Sequence, residues 1–118
     1  MKTMVLGASP NPIRYSHKAV KKLRSHQHEV VAIGKRETSI EDVEVQTGTP
    51  PLSGIHTVTL YLGPANQEDY LDYIVSLRPR RIIFNPGTYN RRLEEMASKA
   101  GIECVEDCTL VMLSSDSY

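Results

Sequence analysis

Apolar residues follow two rhythms along this chain: short unbroken runs, and longer stretches in which they recur every three or four positions. The unbroken runs predict strands at about residues 3–7, 29–34, 57–62, 81–85 and 102–105. The run at 29–34, EVVAIG, has a continuous apolar centre, the mark of a strand buried on both faces of a parallel sheet. Helical spacing fills the gaps. Over 17–25, Ala19, Val20 and Leu23 share an inner face, and Lys18, Lys21, Lys22 and Arg24 form a solvated one. Over 67–77, Tyr70, Leu71, Ile74 and Leu77 make a buried stripe, with Asn66 as cap, Glu68 and Asp69 at the positive end and Pro79 as the stop. A third helix starts after Asn90, turns Leu93, Met96, Ala97 and Ala100 inward and ends at Gly101. Residues 37–54 lose both rhythms and read mostly as loop, and for 107–113 a short helix and a last strand both stay open.

Five strands alternating with helices predict a three-layer α/β fold around a five-stranded parallel sheet, because each right-handed crossover returns a helix to the sheet. The order expected is 3-2-1-4-5. In that order the chain reverses direction between the first and fourth strands, so the loops at their C-terminal ends open the crevice in which ligands bind. At 118 residues all of this is one domain, 1–118, too short for separate cofactor and substrate domains. Much of any chemistry would therefore need a protein partner or a second copy of the chain.

Charge narrows the choice. Fourteen Lys plus Arg balance fourteen Asp plus Glu, which gives no global electrostatic case for nucleic acid or an anionic membrane. Any phosphate binding must be local. The opening MKTMVLG has neither the apolar core of a signal peptide nor the length of a membrane span, so a cytoplasmic address is expected. In that setting Cys104 and Cys108 are expected to be free thiols rather than a disulfide.

The first strand runs into VLGASPNPIRYSHKAV, the stretch richest in candidate chemistry. Gly7 lacks a Cβ, so the backbone can turn sharply and let a ligand come close. Ser9 offers a hydroxyl donor, Pro10 and Pro12 fix φ within the loop, and Arg14 can clamp phosphate through two parallel bonds. Ser16 is placed to cap the helix, with Tyr15 before it stapled onto Val20, which would leave the N–H groups of residues 16–19 facing an anion. The second strand ends at Gly34-Lys35-Arg36, where dinucleotide folds that take NAD carry an acidic residue on the ribose. A basic tip suits an extra ribose phosphate instead, the 3′-phosphate of coenzyme A or the 2′-phosphate of NADP. A second glycine turn, Asn85-Pro86-Gly87, follows the fourth strand.

Other chemistries find no residues. His17, His26, His28 and His56 are scattered without further ligands at metal spacing, so no metal site is expected. Gly7-Ala8-Ser9-Pro10-Asn11 lacks the second glycine of a nucleophile elbow, and neither loop holds a carboxylate pair, so no catalytic residue is named.

Three sets of residues carry a resemblance: Gly7-Ala8-Ser9 with Pro12, Arg14, Tyr15 and Ser16; Asn85-Pro86-Gly87 with Asn90; and Asp107-Cys108. With them the chain resembles the small stand-alone coenzyme A-binding proteins, whose Rossmann-like domain is similar to the nucleotide-binding domain of the succinyl-CoA synthetase alpha subunit. The resemblance implies a diphosphate on the first loop, 3′-phospho-adenosine near the tip of the second strand, and Cys108 beside the crevice. Gly34-Lys35-Arg36 departs from it, since many relatives have an Asn-Pro pair after that strand. Two functions follow as expectations: a non-catalytic module for coenzyme A or an acyl-CoA, or an NADP-linked oxidoreductase or nucleotide-dependent redox sensor using the same crevice.

Overall fold

The computed structural model describes residues 1–118 and orders seven strands into one sheet. In chain order the elements are β1 (Lys2–Ala8), α1 (Tyr15–Ser25), β2 (Glu29–Gly34), β3 (Thr38–Ile40), β4 (Val43–Gln46), β5 (Thr57–Leu60), α2 (Pro64–Gln67), a 3₁₀ turn (Glu68–Tyr70), α3 (Leu71–Ser76), β6 (Arg81–Phe84), α4 (Arg91–Lys99), β7 (Glu103–Glu106) and α5 (Thr109–Ser114). The sheet order is β3-β4-β2-β1-β5-β6-β7, parallel throughout except that β3 runs antiparallel to β4.

The period-2 alternation of the strands divides the core in two. Met4, Leu6, Ile33, Val58 and Leu60 face one side, where Leu71 and Ile74 of α3 and Leu93 and Ala97 of α4 cover them. Val5 and Ala32 face the other, under Val20 and Leu23 of α1 and Leu113 of α5. No helix is long and apolar enough to cross a membrane.

The fold is the expected layered α/β type, but the five-stranded parallel sheet in order 3-2-1-4-5 is corrected to seven strands and a different order. Residues 37–54, expected to be mostly loop, hold a hairpin. Ile40, Val43 and Val45 are buried, while Glu41 and Asp42 form the two-residue turn that pairs Ile40 with Val43. Glu41 takes the positive φ of 53° that such turns favour. The acidic residues hide a strand alternation only four residues long. Arg24 of α1 fastens the turn through a forked pair to Asp42, with Nη2–Oδ2 at 2.6 Å and Nε–Oδ1 at 3.1 Å.

The hairpin occupies the outer side of β2, so the next strand must pair elsewhere. Residues 47–56 cross back beneath the sheet, with Leu52 and Ile55 packed into the core under α3 and the His56 N–H donating to the Lys2 carbonyl at 2.9 Å. They deliver β5 to the free side of β1, where Thr57 stands opposite Thr3. The reversal of direction thus falls between β1 and β5, and not between β1 and the strand at Arg81–Phe84.

Helix boundaries also differ. Arg14 occupies the N-cap position of α1 without a side-chain cap, and Ser16 is already inside the first turn and buried. Tyr15 is 69% exposed and is not stapled onto Val20. The helix expected at 67–77 starts earlier, with Gly63 at the N-cap and Pro64 at the first position, and a 3₁₀ turn divides it. Asn66 is therefore no cap. Asn90 is one, its Oδ1 accepting from the N–H groups of Arg92 and Leu93 at 3.0 and 3.3 Å. The segment after Asp107 is a helix, α5.

Candidate functional site

A cleft of about 630 Å³ lies across the C-terminal ends of β1, β2, β5 and β6. Two glycines let the tips of β1 and β2 form one wall of it. Leu6 pairs with Ile33 and Ala8 with Gly34, so Gly7 is an extra residue bulging from the ladder, at φ +96°. A Cβ on Gly7 would stand 3.0 Å from both Leu62 Cδ2 and the Tyr61 carbonyl carbon. A Cβ on Gly34 would lie 2.3 Å from the Ala8 carbonyl oxygen.

Beyond Ala8 the loop is held by its own bonds. Asn11 N–H donates to Ser9 Oγ at 3.1 Å, Ile13 N–H to Asn11 Oδ1 at 3.0 Å, and Arg14 N–H to the Asn11 carbonyl at 3.0 Å. His17 Nδ1 lies 3.1 Å from the Ser9 carbonyl and ties the loop to α1. Ser9 Oγ accepts in this arrangement and keeps its own hydrogen to donate. At the start of α1 the N–H groups of Tyr15, Ser16 and His17 precede the first intrahelical bond, which Lys18 makes to Arg14 at 3.2 Å. They add a positive end to a cleft that already carries charge.

Arg14, Lys35 and Arg36 line the cleft and are exposed. The five ion pairs of the molecule all lie elsewhere, and no Asp, Glu, His or Cys lines the cleft. In a chain of zero net charge, three unpaired cations thus surround one glycine turn. That arrangement suits an anion with more than one phosphate.

The far wall comes from the tips of β5 and β6, bound together from below by buried amides. Gln67 is fully buried; its Nε2 donates to the carbonyls of Leu62 at 2.8 Å and Thr88 at 2.7 Å, and its Oε1 accepts from Asn90 Nδ2 at 3.1 Å. Asn85 Nδ2 donates to Thr59 Oγ1 and the Leu60 carbonyl at 2.7 and 2.8 Å, while its Oδ1 accepts the Thr109 N–H at 2.8 Å. Beside them Tyr61 keeps a buried hydroxyl with no partner, since the nearby Thr59 and Thr109 hydroxyls bond each other at 2.8 Å. Burial pushes the Tyr61 phenol up to about 12.

Of the residues singled out from the sequence, Gly7, Ala8, Ser9, Arg14, Tyr15, Ser16, Lys35, Arg36 and Pro86 line this cleft. Pro12, Asn85, Gly87, Asn90 and Cys108 do not. Asn85 and Asn90 spend their amides on the protein, and Cys108 sits at the N-cap of α5, its N–H donating to Asp107 Oδ1 at 2.7 Å. The two glycine turns do share the cleft, but the β5 tip stands between them, and Leu62, Gly63, Asn66, Tyr70 and Thr88 were not anticipated. The Gly63-Pro64 pair ending an apolar run was the available signal. No three His, Cys, Asp or Glu side chains gather at metal-binding distance, and Cys104 and Cys108 are both free.

Comparison with known proteins places this geometry among relatives. A family model described as a CoA binding domain matches residues 1–114. A protein of known crystal structure, described only as uncharacterized, is 45% identical, with 99% of this chain and 97% of that one covered at a TM-score of 0.95. A protein from Thermus thermophilus is 22% identical, with 99% and 90% covered at a TM-score of 0.86. A conserved hypothetical protein from Pyrococcus furiosus is also 22% identical, with 93% and 97% covered at 0.80; these two share the fold. No curated protein matches.

Proposed function

Because the chain belongs to the CoA binding domain family, we propose that it binds coenzyme A or an acyl-CoA as a small non-catalytic module. The observation that carries the reading is the set of three unpaired cations, Arg14, Lys35 and Arg36, around a glycine turn in a cleft that no carboxylate lines. In this reading the diphosphate lies against Ala8, Ser9, Arg14 and the N–H groups that open α1. Lys35 and Arg36 take the 3′-phosphate of the ribose. Pro86 borders the remainder of the ligand, while Pro12, Gly87, Asn85 and Asn90 act by shaping and holding the loops. The fit rests on Gly7, where any Cβ would fill the space between the loop and Leu62.

No thiol, imidazole or carboxylate lines the cleft, so the hydroxyls of Ser9, Ser16 and Thr88 have no imidazole or carboxylate base beside them there, which favours binding over turnover. A basic strand tip would also accept the 2′-phosphate of NADP, so the test includes that ligand.

The experiment is a melting scan with coenzyme A, dephospho-coenzyme A and NADPH, repeated on the double variant Lys35→Glu/Arg36→Glu. Ligand at a hundred times Kd stabilises the native state by about 2.7 kcal/mol, which for a chain of this size raises Tm by roughly 10 °C. Coenzyme A should give the largest shift. The double variant should weaken coenzyme A by about 1–3 kcal/mol, the worth of charge-assisted bonds, and affect dephospho-coenzyme A much less. No shift with coenzyme A, or a larger one with NADPH, overturns the reading; equal losses for both coenzyme A forms remove the 3′-phosphate from Lys35 and Arg36.

A further inference from the structure

Tyr15 and Ile13 are the two most exposed large apolar residues of the molecule, at 69% and 78%, and they flank Arg14 on the rim of the cleft. A single exposed apolar side chain needs no explanation. Tyr15, however, also lines the cleft, and where it stands there is specific.

Helix α1 packs on β1, β2 and β3, so its first turn stands over the tips of β1 and β2, at the end of the cleft where Arg14, Lys35 and Arg36 gather. The opposite end, at the tips of β5 and β6, presents Leu62, Asn66, Tyr70 and Thr88 and has no charge. The cleft is therefore polarised along its length. One end suits phosphates, and Tyr15 is the aromatic ring at that end.

The ring is also set up to be used. Lys18, one turn further along α1, places Nζ 5.4 Å from the ring centroid and so occupies one face. The remainder of the ring is open to water. We propose that Tyr15 is the platform on which the purine of the ligand stacks, so that the chain grips a 3′-phosphorylated purine nucleotide and leaves the thiol end in the uncharged part of the cleft. This rests on the coenzyme A reading and deepens it.

Connectivity of the ligand leads to the same place. A ribose held between a diphosphate on the start of α1 and a 3′-phosphate on Lys35 and Arg36 carries its base beside both, and Tyr15 opens α1 itself. The other two tyrosines of the cleft, Tyr61 and Tyr70, belong to the β5 tip and the 3₁₀ turn at the uncharged end. Stacking on a protein aromatic ring is tolerant of the base and worth roughly a 5- to 150-fold change in affinity when the ring is removed.

The test measures, by titration calorimetry, coenzyme A and its two halves, adenosine 3′,5′-bisphosphate and 4′-phosphopantetheine, against wild type, Tyr15→Ala and Tyr15→Trp. Tyr15→Ala should bind coenzyme A and the bisphosphate about tenfold more weakly, with 4′-phosphopantetheine changed less than twofold. Tyr15→Trp should restore the affinity. Because the chain has no tryptophan, the new side chain is also a sole reporter, expected to be quenched by the bisphosphate and not by 4′-phosphopantetheine. A wild type that binds coenzyme A together with a Tyr15→Ala that binds it equally well overturns the stacking and leaves the coenzyme A reading standing. A loss confined to 4′-phosphopantetheine gives Tyr15 to the thiol arm and overturns it too. A wild type that binds neither coenzyme A nor the bisphosphate overturns the reading beneath.

Discussion

Gly34→Ala adds a single methyl group to the last residue of β2, and its consequences can be worked from three distances. The new Cβ would stand 2.3 Å from the Ala8 carbonyl oxygen, 3.3 Å from its carbonyl carbon and 3.0 Å from Val45 Cγ1. Carbon and oxygen not bonded to one another settle no closer than about 3.2 Å, so relief needs a movement of nearly 1 Å. Val45 can yield by rotating its side chain. Ala8 cannot, because the obstructing atom is backbone of a central strand paired to β2 on one side and β5 on the other. The substitution should therefore cost at least the upper part of the usual about 1–3 kcal/mol for an overpacked core. With a urea dependence near 1.5–2 kcal/mol per molar, the unfolding midpoint should fall by roughly 1–2 M. Any yielding moves Ala8 and the loop it leads, so coenzyme A affinity should fall with stability. Gly101→Ala supplies the contrast, since φ there is +76° and a Cβ would meet nothing within 4 Å. It should show backbone strain alone, about 1–2 kcal/mol, with binding unchanged. A Gly34→Ala midpoint within about 0.3 M of wild type would refute the steric argument, and with it the need for close approach of the two strand tips.

Cys108 and Cys104 should part company toward coenzyme A disulfide. Burial pushes the Cys104 thiol up to about 11, so almost none is thiolate at neutral pH; Cys108 stands half-buried at the start of α5 near the Tyr61 phenol. Exchange with the disulfide from solution should give a mixed disulfide with release of one coenzyme A thiol, seen as added mass by intact-mass spectrometry, retained in Cys104→Ser and lost in Cys108→Ser; adduct that survives Cys108→Ser overturns the contrast between the two thiols. Acid should weaken the fold as pH falls through the usual histidine value of 6.5 and below. Burial holds His28 and His56 below the usual 6.5, aided for His28 by the amino terminus, His26 and Arg81, and for His56 by Arg81, Arg80 and the amino terminus. The unfolded chain then takes up protons that the folded one refuses, so stability complete above 6.5 drains away as pH falls toward the folded-state values. The double variant His28→Gln/His56→Gln should flatten Tm across that range, and an unchanged slope would assign the effect elsewhere.

What could be read in the sequence was local. Gly7, the basic pair after β2, the Asn90 cap and five of the strands each follow from a few adjacent residues, and all appear in the structure. Sheet order does not have that character. Whether the strand at Thr57–Leu60 pairs with β1 or lies outside β2 depends on what residues 37–56 do, and they hold a strand alternation only four residues long interrupted by acids. The supporting amides were illegible for a related reason. Gln67 falls at helical spacing with Tyr70, Leu71 and Ile74 on the inner face, but the partners that satisfy its amide there, the Leu62 and Thr88 carbonyls and the Asn90 amide, are brought to it by the fold from other segments.

The placement of β5 next to β1 also gives the first glycine turn a wall that the two glycine turns and the basic strand tip do not supply. With β5 there, Tyr61, Leu62 and Gly63 rise directly beside the bulge at Gly7, and the space a Cβ would need is already filled from that side. The loop is thus confined by β2 at Gly34 and by β5 at Leu62, while Gln67 fixes Leu62 to Thr88 and through Asn90 to the start of α4. Backbone positions in the cleft are consequently set before any ligand arrives, and the groups left free to move are the side chains of Arg14, Lys35, Arg36 and Tyr15, all exposed. A rigid cradle of backbone donors with a mobile cationic and aromatic rim favours ligands with phosphates at two separated points, because each rim contact then orders one side chain against an already ordered floor. That division of labour accounts for polar side chains being buried below the cleft and unpaired above it.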